Sequence, residues 1–204
     1  MLNGKRSSLQ STYVSLVELL LKSLMLYYIV MQYITMAVID SSTLIYLTKA
    51  SCKEILAKMH NVIAITPKVY EETVIMGKNY PESTIIEENI SNGIIKVESP
   101  QKILRGLPES LGSGEKEAIS AAFERDLLLI SDDVHAIRVA LSFGLNVRTS
   151  ETLLIEAYIK GLISLEELKR KISALMTYKS LRPDVYVLLN TLLRIFEEEE
   201  GSER

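Results

Sequence analysis

Two rhythms of apolar and polar positions run through this chain from Met36 onward. Short apolar runs bounded by polar or turn residues alternate with longer stretches whose apolar residues recur at intervals of three and four. The first pattern reads as buried strands of a parallel sheet, the second as amphipathic helices that cover it. Strands are predicted at Ala37–Ile39, Val62–Ile65, Ile94–Val97, Leu127–Ile130 and Leu145–Val147. Helices fall between them over Thr43–Ala50, Lys53–His60, Pro67 to Gly77, Pro81 to about Gly93, Glu115–Arg125, and a last stretch that stops at Gly144. Pro67 at a first helical position and Gly77 beyond a last one are start and stop signals. Ser99 to Leu111, with Pro100, Gly106 and Pro108, reads as an irregular connection.

Strands separated by helices imply parallel pairing through right-handed crossovers. The expected fold is a three-layer α/β/α domain with a central parallel sheet, an N-terminal helix and C-terminal helices. Beyond Ser150 the pattern is helical only. Ser164 with Glu167 forms a capping box, and Pro183 opens a helix that runs into the acidic end Glu197–Glu200. The division is an apolar or amphipathic extension over residues 1–35, an α/β domain over 36–150, C-terminal helices over 151–196 packed on it, and an acidic tail over 197–204.

The extension changes the picture only at its edges. Val14 to Thr35 is largely apolar, but Glu18, Lys22 and Gln32 interrupt it, and the unbroken run Leu24–Met31 is too short to cross a bilayer. An amphipathic or partner-seeking helix is the preferred reading, and a membrane anchor over residues 14–35 the alternative.

The 204 residues suffice for one sizeable core, and 48% hydrophobic with 24% charged residues is a globular composition. A net charge of −3 gives no overall basic signature for nucleic acid. The single cysteine, Cys52, excludes an internal disulfide and a cysteine zinc site, and it fits a reducing, cytoplasmic setting. His60 and His135 match no metal-ligand spacing.

Acids then become the candidate chemistry. Asp40, Glu71-Glu72, Glu115 and Asp132-Asp133 all fall at strand ends or helix starts, the edge where ligands collect in open α/β sheets. Glu115 shares a helical face with Ala118, Ile119 and Ala122, whereas Glu117 points away; Glu72 lies with Val69 and Met76 on an apolar face, whereas Glu71 looks toward solvent. Asp132 and Asp133 would point in opposite directions along a continuing strand. Converging carboxylates repel one another unless a cation relieves them, and hard oxygen donors without Cys or His favour Mg²⁺ or Mn²⁺. Such ions activate water and stabilise a phosphodiester under in-line attack. The alternative is that each acid simply caps or complements a helix N-terminus.

The segments VIDSSTLI around Asp40, TPKVYEET around Glu72, LGSGEKEAI around Glu115, and LLLISDD followed by HAIRVALSFGL resemble the PIN domain family over about Met36 to Ser150. The helices to about Leu193 are similar to those of one prokaryotic subfamily. The resemblance implies a Mg²⁺- or Mn²⁺-dependent endoribonuclease, the toxin of a toxin-antitoxin pair, with catalytic acids at Asp40, Glu72, Glu115 and Asp133. Asp40, Glu115 and Asp133, with Asp132 beside them, would hold metal. Ser41, Lys116 and Arg138 would meet the RNA, and the alternative for Lys116 and Arg138 is that they are solvated helix charges. A small antitoxin and a second copy are the expected protein partners, with Leu188, Leu189, Leu192, Leu193 and Phe196 offering apolar surface. A non-catalytic PIN-like interaction module is the alternative. Haloacid-dehalogenase-like enzymes need a second Asp where this chain has Ser42, receiver domains place their acid pair after the first strand, and Gly112-Ser-Gly lacks the lysine of a phosphate-binding loop.

Overall fold

The short apolar runs become five strands: β1 Met36–Ile39, β2 Val62–Ile65, β3 Ile95–Val97, β4 Leu128–Ile130 and β5 Val147–Arg148. The structure is a computed structural model that describes residues 36–60 and 62–202. All strands pair in parallel as one sheet in the order β3-β2-β1-β4-β5. β1 is therefore central, held against β2 at Ala37↔Ile63 and against β4 at Ile39↔Ile130. The chain leaves β1 toward one edge, through β2 and β3, and returns on β1's other side as β4 and β5. The crevice at the carboxyl ends of β1 and β4 is thus the topological switch point, where open parallel sheets bind ligands.

The helices are α1 Ser41–Lys49, α2 Lys53–Met59, α3 Pro67–Tyr70, α4 Pro81–Ser91, α5 Ser113–Arg125, α6 Val134–Ser142, α7 Ser150–Ile159, α8 Leu165–Tyr178 and α9 Pro183–Ser202. Alternation along the strands divides the core in two. Ala37, Ile39, Ile63, Ile65 and Ile130 face a layer containing α1, α2, α4, α7, α8 and α9. Val38, Ala64 and Leu129 face α5 and α6, whose contacts are alanines at 118, 121, 122, 136 and 140 together with Ile119 and Val139. Small side chains let those two helices lie close to the sheet. The result is the three-layer α/β/α arrangement that alternating strands and helices predict.

Local differences from the sequence pattern have physical reasons. The last strand lies at Val147–Arg148, because the Leu145 N–H still donates to the Ala140 carbonyl of α6 at 3.1 Å while Val147 and Arg148 take up the register with Leu129 and Ile130. The segment from Pro67 is not one regular helix. After α3 it continues as a π-helical turn over Glu71–Ile75, with Met76 N–H donating to the Glu71 carbonyl at 2.8 Å. Such a turn changes which side chains face inward and is frequent at functional sites. α9 turns Leu189 into the core and half-buries Leu192, Leu193 and Phe196, leaving Tyr186, Val187 and Leu188 as its exposed apolar face. The extension expected over residues 1–35 lies outside the described residues. Among the described residues, no helix is long and apolar enough to cross a membrane.

His60, the C-cap of α2, is buried, and neither ring nitrogen has a partner among the described residues. Burial pushes its pKa down to about 4, against a smaller opposing pull from Glu156. The unfolded chain takes up a proton near the ordinary histidine value of about 6.5, while the folded protein resists protonation until about 4. Stability should therefore fall as pH drops through that window, by about 3 kcal/mol in all. Urea unfolding followed across that range should show this slope in the parent and a flattened one in His60→Leu.

Candidate active site

Asp40 follows β1 directly, and its backbone N–H donates to the Ile130 carbonyl of β4 at 3.2 Å, so the aspartate is pinned at the switch point. It is the N-cap of α1: Oδ1 accepts from Thr43 N–H at 2.8 Å and from Ser42 Oγ at 3.2 Å. Oδ2 is different. The residue is 4% exposed, and Oδ2 is buried with no hydrogen-bond partner among the described residues. A buried carboxylate oxygen without a donor is a rare arrangement that calls for an occupant.

Glu72 approaches from the π-helical turn and accepts a hydrogen bond from Ser41 Oγ through Oε2. Its carboxylate lies against Gly114 in the first turn of α5, where an added Cβ would stand 2.9 Å from Oε2 and 3.2 Å from Oε1. Glycine at that position makes room for the acid. Its neighbour Glu71 is exposed and pairs with Lys68 at 2.8 Å. Glu115 reaches back to the N–H of Gly112, the N-cap of α5, through Oε2. Lys116 extends its ammonium to the Glu109 carbonyl at 3.3 Å. Glu117, on a different face of α5 from Glu115, is half-buried. Its Oε2 accepts from the Lys68 backbone N–H at 3.0 Å, which ties α5 to the start of α3.

The two adjacent aspartates after β4 part company. Asp133 is exposed and caps α6, with Oδ1 accepting from Ala136 N–H at 2.6 Å, while its own N–H donates to Ser131 Oγ at 3.3 Å. Arg138 lies exposed further along α6. Asp132 turns away from this edge toward α7 and the end of α8. Its Oδ1 accepts from Ser150 N–H and faces the Lys179 ammonium, both at 2.8 Å, and its Oδ2 accepts from Ser150 Oγ at 2.8 Å. Lys179 also binds Glu151 at 2.6 Å. Burial pushes the Asp132 carboxyl up, outweighing the pull of Lys179. Both oxygens of Asp132 are thus committed inside the protein, which sets it apart from the acids it was grouped with as a metal ligand.

Asp40, Glu72, Glu115 and Asp133 share a different pattern. The hydrogen bonds described above engage one oxygen of each, to a helix N-terminal N–H or to Ser41, and leave the other. The donor set is all hard oxygen, and the orphaned Asp40 Oδ2 adds a buried acceptor in want of a cation. On that chemistry the residues fit Mg²⁺ or Mn²⁺. Among the described residues, no group of three or more His, Cys, Asp or Glu side chains stands close enough together to hold an ion as placed, so the fit rests on donor type and on Asp40 Oδ2. Sequence reasoning missed Thr43, Gly114, Ser150 and Lys179. Thr43 and Gly114 are visible beside the acids in DSST and GSGE, but nothing local signals that Lys179 reaches Asp132.

A family model described as a PIN domain matches residues 36–195. Among solved structures, the chain is similar to a PilT N-terminus domain protein from the hyperthermophilic archaeon Sulfolobus solfataricus P2. The two are 28% identical over 60% of this chain and 93% of that one, with a TM-score of 0.45. No curated protein matches the chain. By the extent of the family match, spanning all five strands and most of α9, this chain belongs to the PIN domain family, whose fold is nuclease-like.

Proposed function

We propose that the protein is a metal-dependent endoribonuclease that hydrolyses RNA phosphodiester bonds and acts as the toxin of a toxin-antitoxin pair in the cytoplasm. PIN domains are generally nucleases and typically depend on a divalent metal. The observation that carries the reading is the buried, partnerless Oδ2 of Asp40 at the switch point. Asp40, Glu72, Glu115 and Asp133 would hold Mg²⁺ or Mn²⁺. Bound there, the ion would supply Lewis acidity for the phosphodiester and for the attacking water. The protein's own groups do the positioning. Ser41 orients Glu72, the α1 and α6 N-termini orient Asp40 and Asp133, and Gly114 keeps the space beside Glu72 open. Lys116 and Arg138 would neutralise RNA phosphates on either side. The free, buried Cys52 suits a reducing compartment.

A nuclease directed at cellular RNA needs restraint, and the apolar face of α9 at Tyr186, Val187 and Leu188 suits a second copy of the chain or a small antitoxin. Light scattering of the purified protein should report a homodimer or a complex. A strict monomer with nothing co-purifying from the native host counts against this part of the reading. The alternative, a non-catalytic module whose acids only cap helices, parts from the nuclease at Asp40.

Asn caps a helix as well as Asp does, so Asp40→Asn should keep the fold at equal or higher stability, while Ala there should cost about 1 kcal/mol. In the nuclease reading the same Asn should weaken Mn²⁺ binding in calorimetric titration and abolish metal-dependent cleavage of a panel of structured RNAs. Undiminished Mn²⁺ affinity in Asp40→Asn ends that reading. Gly114→Ala tests Glu72 separately. Its methyl meets only the far end of a flexible side chain, so thermal stability should hold or rise by up to about 1 kcal/mol, yet the displaced carboxylate should lower both Mn²⁺ affinity and cleavage. An unaltered Mn²⁺ isotherm in this variant would remove Glu72 from the metal site.

A further inference from the structure

A chain of hydrogen bonds leads out of the candidate site into the C-terminal helices. Thr43 is fully buried and serves both aspartate-bearing segments: its backbone N–H donates to Asp40 Oδ1 at 2.8 Å, and its Oγ1 accepts from Asp132 N–H at 2.8 Å. Asp132 in turn is gripped by Ser150 and by Lys179, the C-cap of α8. The charges are out of water, with side chains 3% exposed for Asp132, 6% for Glu151 and 14% for Lys179. This cluster borders a cavity of about 550 Å³ whose apolar walls include Val134, Ile137, Ile155 and Leu188. Leu175 packs the last turn of α8 into the core, and beyond it the polar link carries the contact from Lys179 to the sheet edge.

We propose that Lys179 is a positioning residue: acting through Asp132 and Thr43, it sets where Asp40 and Asp133 stand, so the C-terminal helices govern the acidic site. Asp132 immediately precedes Asp133, and its N–H is fastened to the residue that fastens Asp40. Movement of the Asp132 main chain consequently shifts both acids together. The path is a contiguous set of bonds rather than spatial proximity alone, the kind of network that can carry coupling between sites. Outer-shell partners of this kind orient the groups that meet a metal, and losing one lowers metal affinity by about tenfold or more. The consequence for metal rests on the nuclease reading given above, whereas the relay itself does not.

Amide hydrogen exchange of the full chain, read by NMR, tests the relay without any metal. Lys179→Met should speed exchange at Thr43, Asp132 and Ala136, whose N–H groups bond to Asp40, Thr43 and Asp133, and leave Ile63 in β2 unchanged. Faster exchange confined to α7 and α8 overturns the proposal. Because Lys179→Met leaves two buried carboxylates without their cation and risks unfolding, Thr43→Val probes the same path from the other end. It should quicken exchange at Ser150, and Thr43→Ser should restore it; an unmoved Ser150 amide in Thr43→Val also overturns the relay. In calorimetric titration, Lys179→Met should weaken Mn²⁺ binding about tenfold. If the parent protein takes up no Mn²⁺, the nuclease reading fails, and the exchange rates still decide the relay.

Discussion

Parallel pairing of β1 with β4 joins segments far apart in the chain and creates the crevice on which the candidate site depends. Ile39 lies level with Ile130, and the next hydrogen bond, from Asp40 N–H to the Ile130 carbonyl, carries that register one residue past the strand. Thr43 and Asp132, 89 positions apart, then meet directly. Without that pairing Asp40 and Asp133 would be two unrelated helix caps. With it, they flank the switch point of the sheet.

Capping and metal binding are usually posed as rival explanations for an acid at a helix start. In this protein the two do not compete for the same atoms, because capping engages one oxygen of each acid. One oxygen of Asp40, of Glu115 and of Asp133 holds a helix N-terminal N–H, which fixes the carboxylate in place and complements the helix dipole. The remaining oxygens are what a cation could use, and in Asp40 that oxygen is buried and partnerless. A cap of this kind holds a carboxylate at a fixed orientation while leaving one oxygen uncommitted. Asp132 is the contrast, because Ser150 and Lys179 engage both of its oxygens inside the protein.

Much of this was legible in the sequence, because the information is local. Strand and helix alternation follows from short apolar runs and from apolar spacings of three and four, each carried within a few neighbouring residues. The Thr66-Pro67 start, the Gly144 stop at φ +80° and the placement of acids at strand ends were equally local. PIN family membership followed from four such segments in order, and the match over residues 36–195 agrees.

What the sequence could not decide are the matters settled by contacts across the fold. The π-helical turn puts Glu72 against Gly114 and sends Glu71 to Lys68, a choice that regular helical spacing does not encode. Leu145 reads as strand by its neighbours, yet its N–H closes the end of α6 on the Ala140 carbonyl, and the last strand falls at Val147–Arg148. Adjacent residues Asp132 and Asp133 are chemically equal in the sequence. Only the arrival of Lys179, from the far end of α8, neutralises one and leaves the other at the sheet edge, since a buried charge takes its partner from whatever the tertiary fold brings within reach.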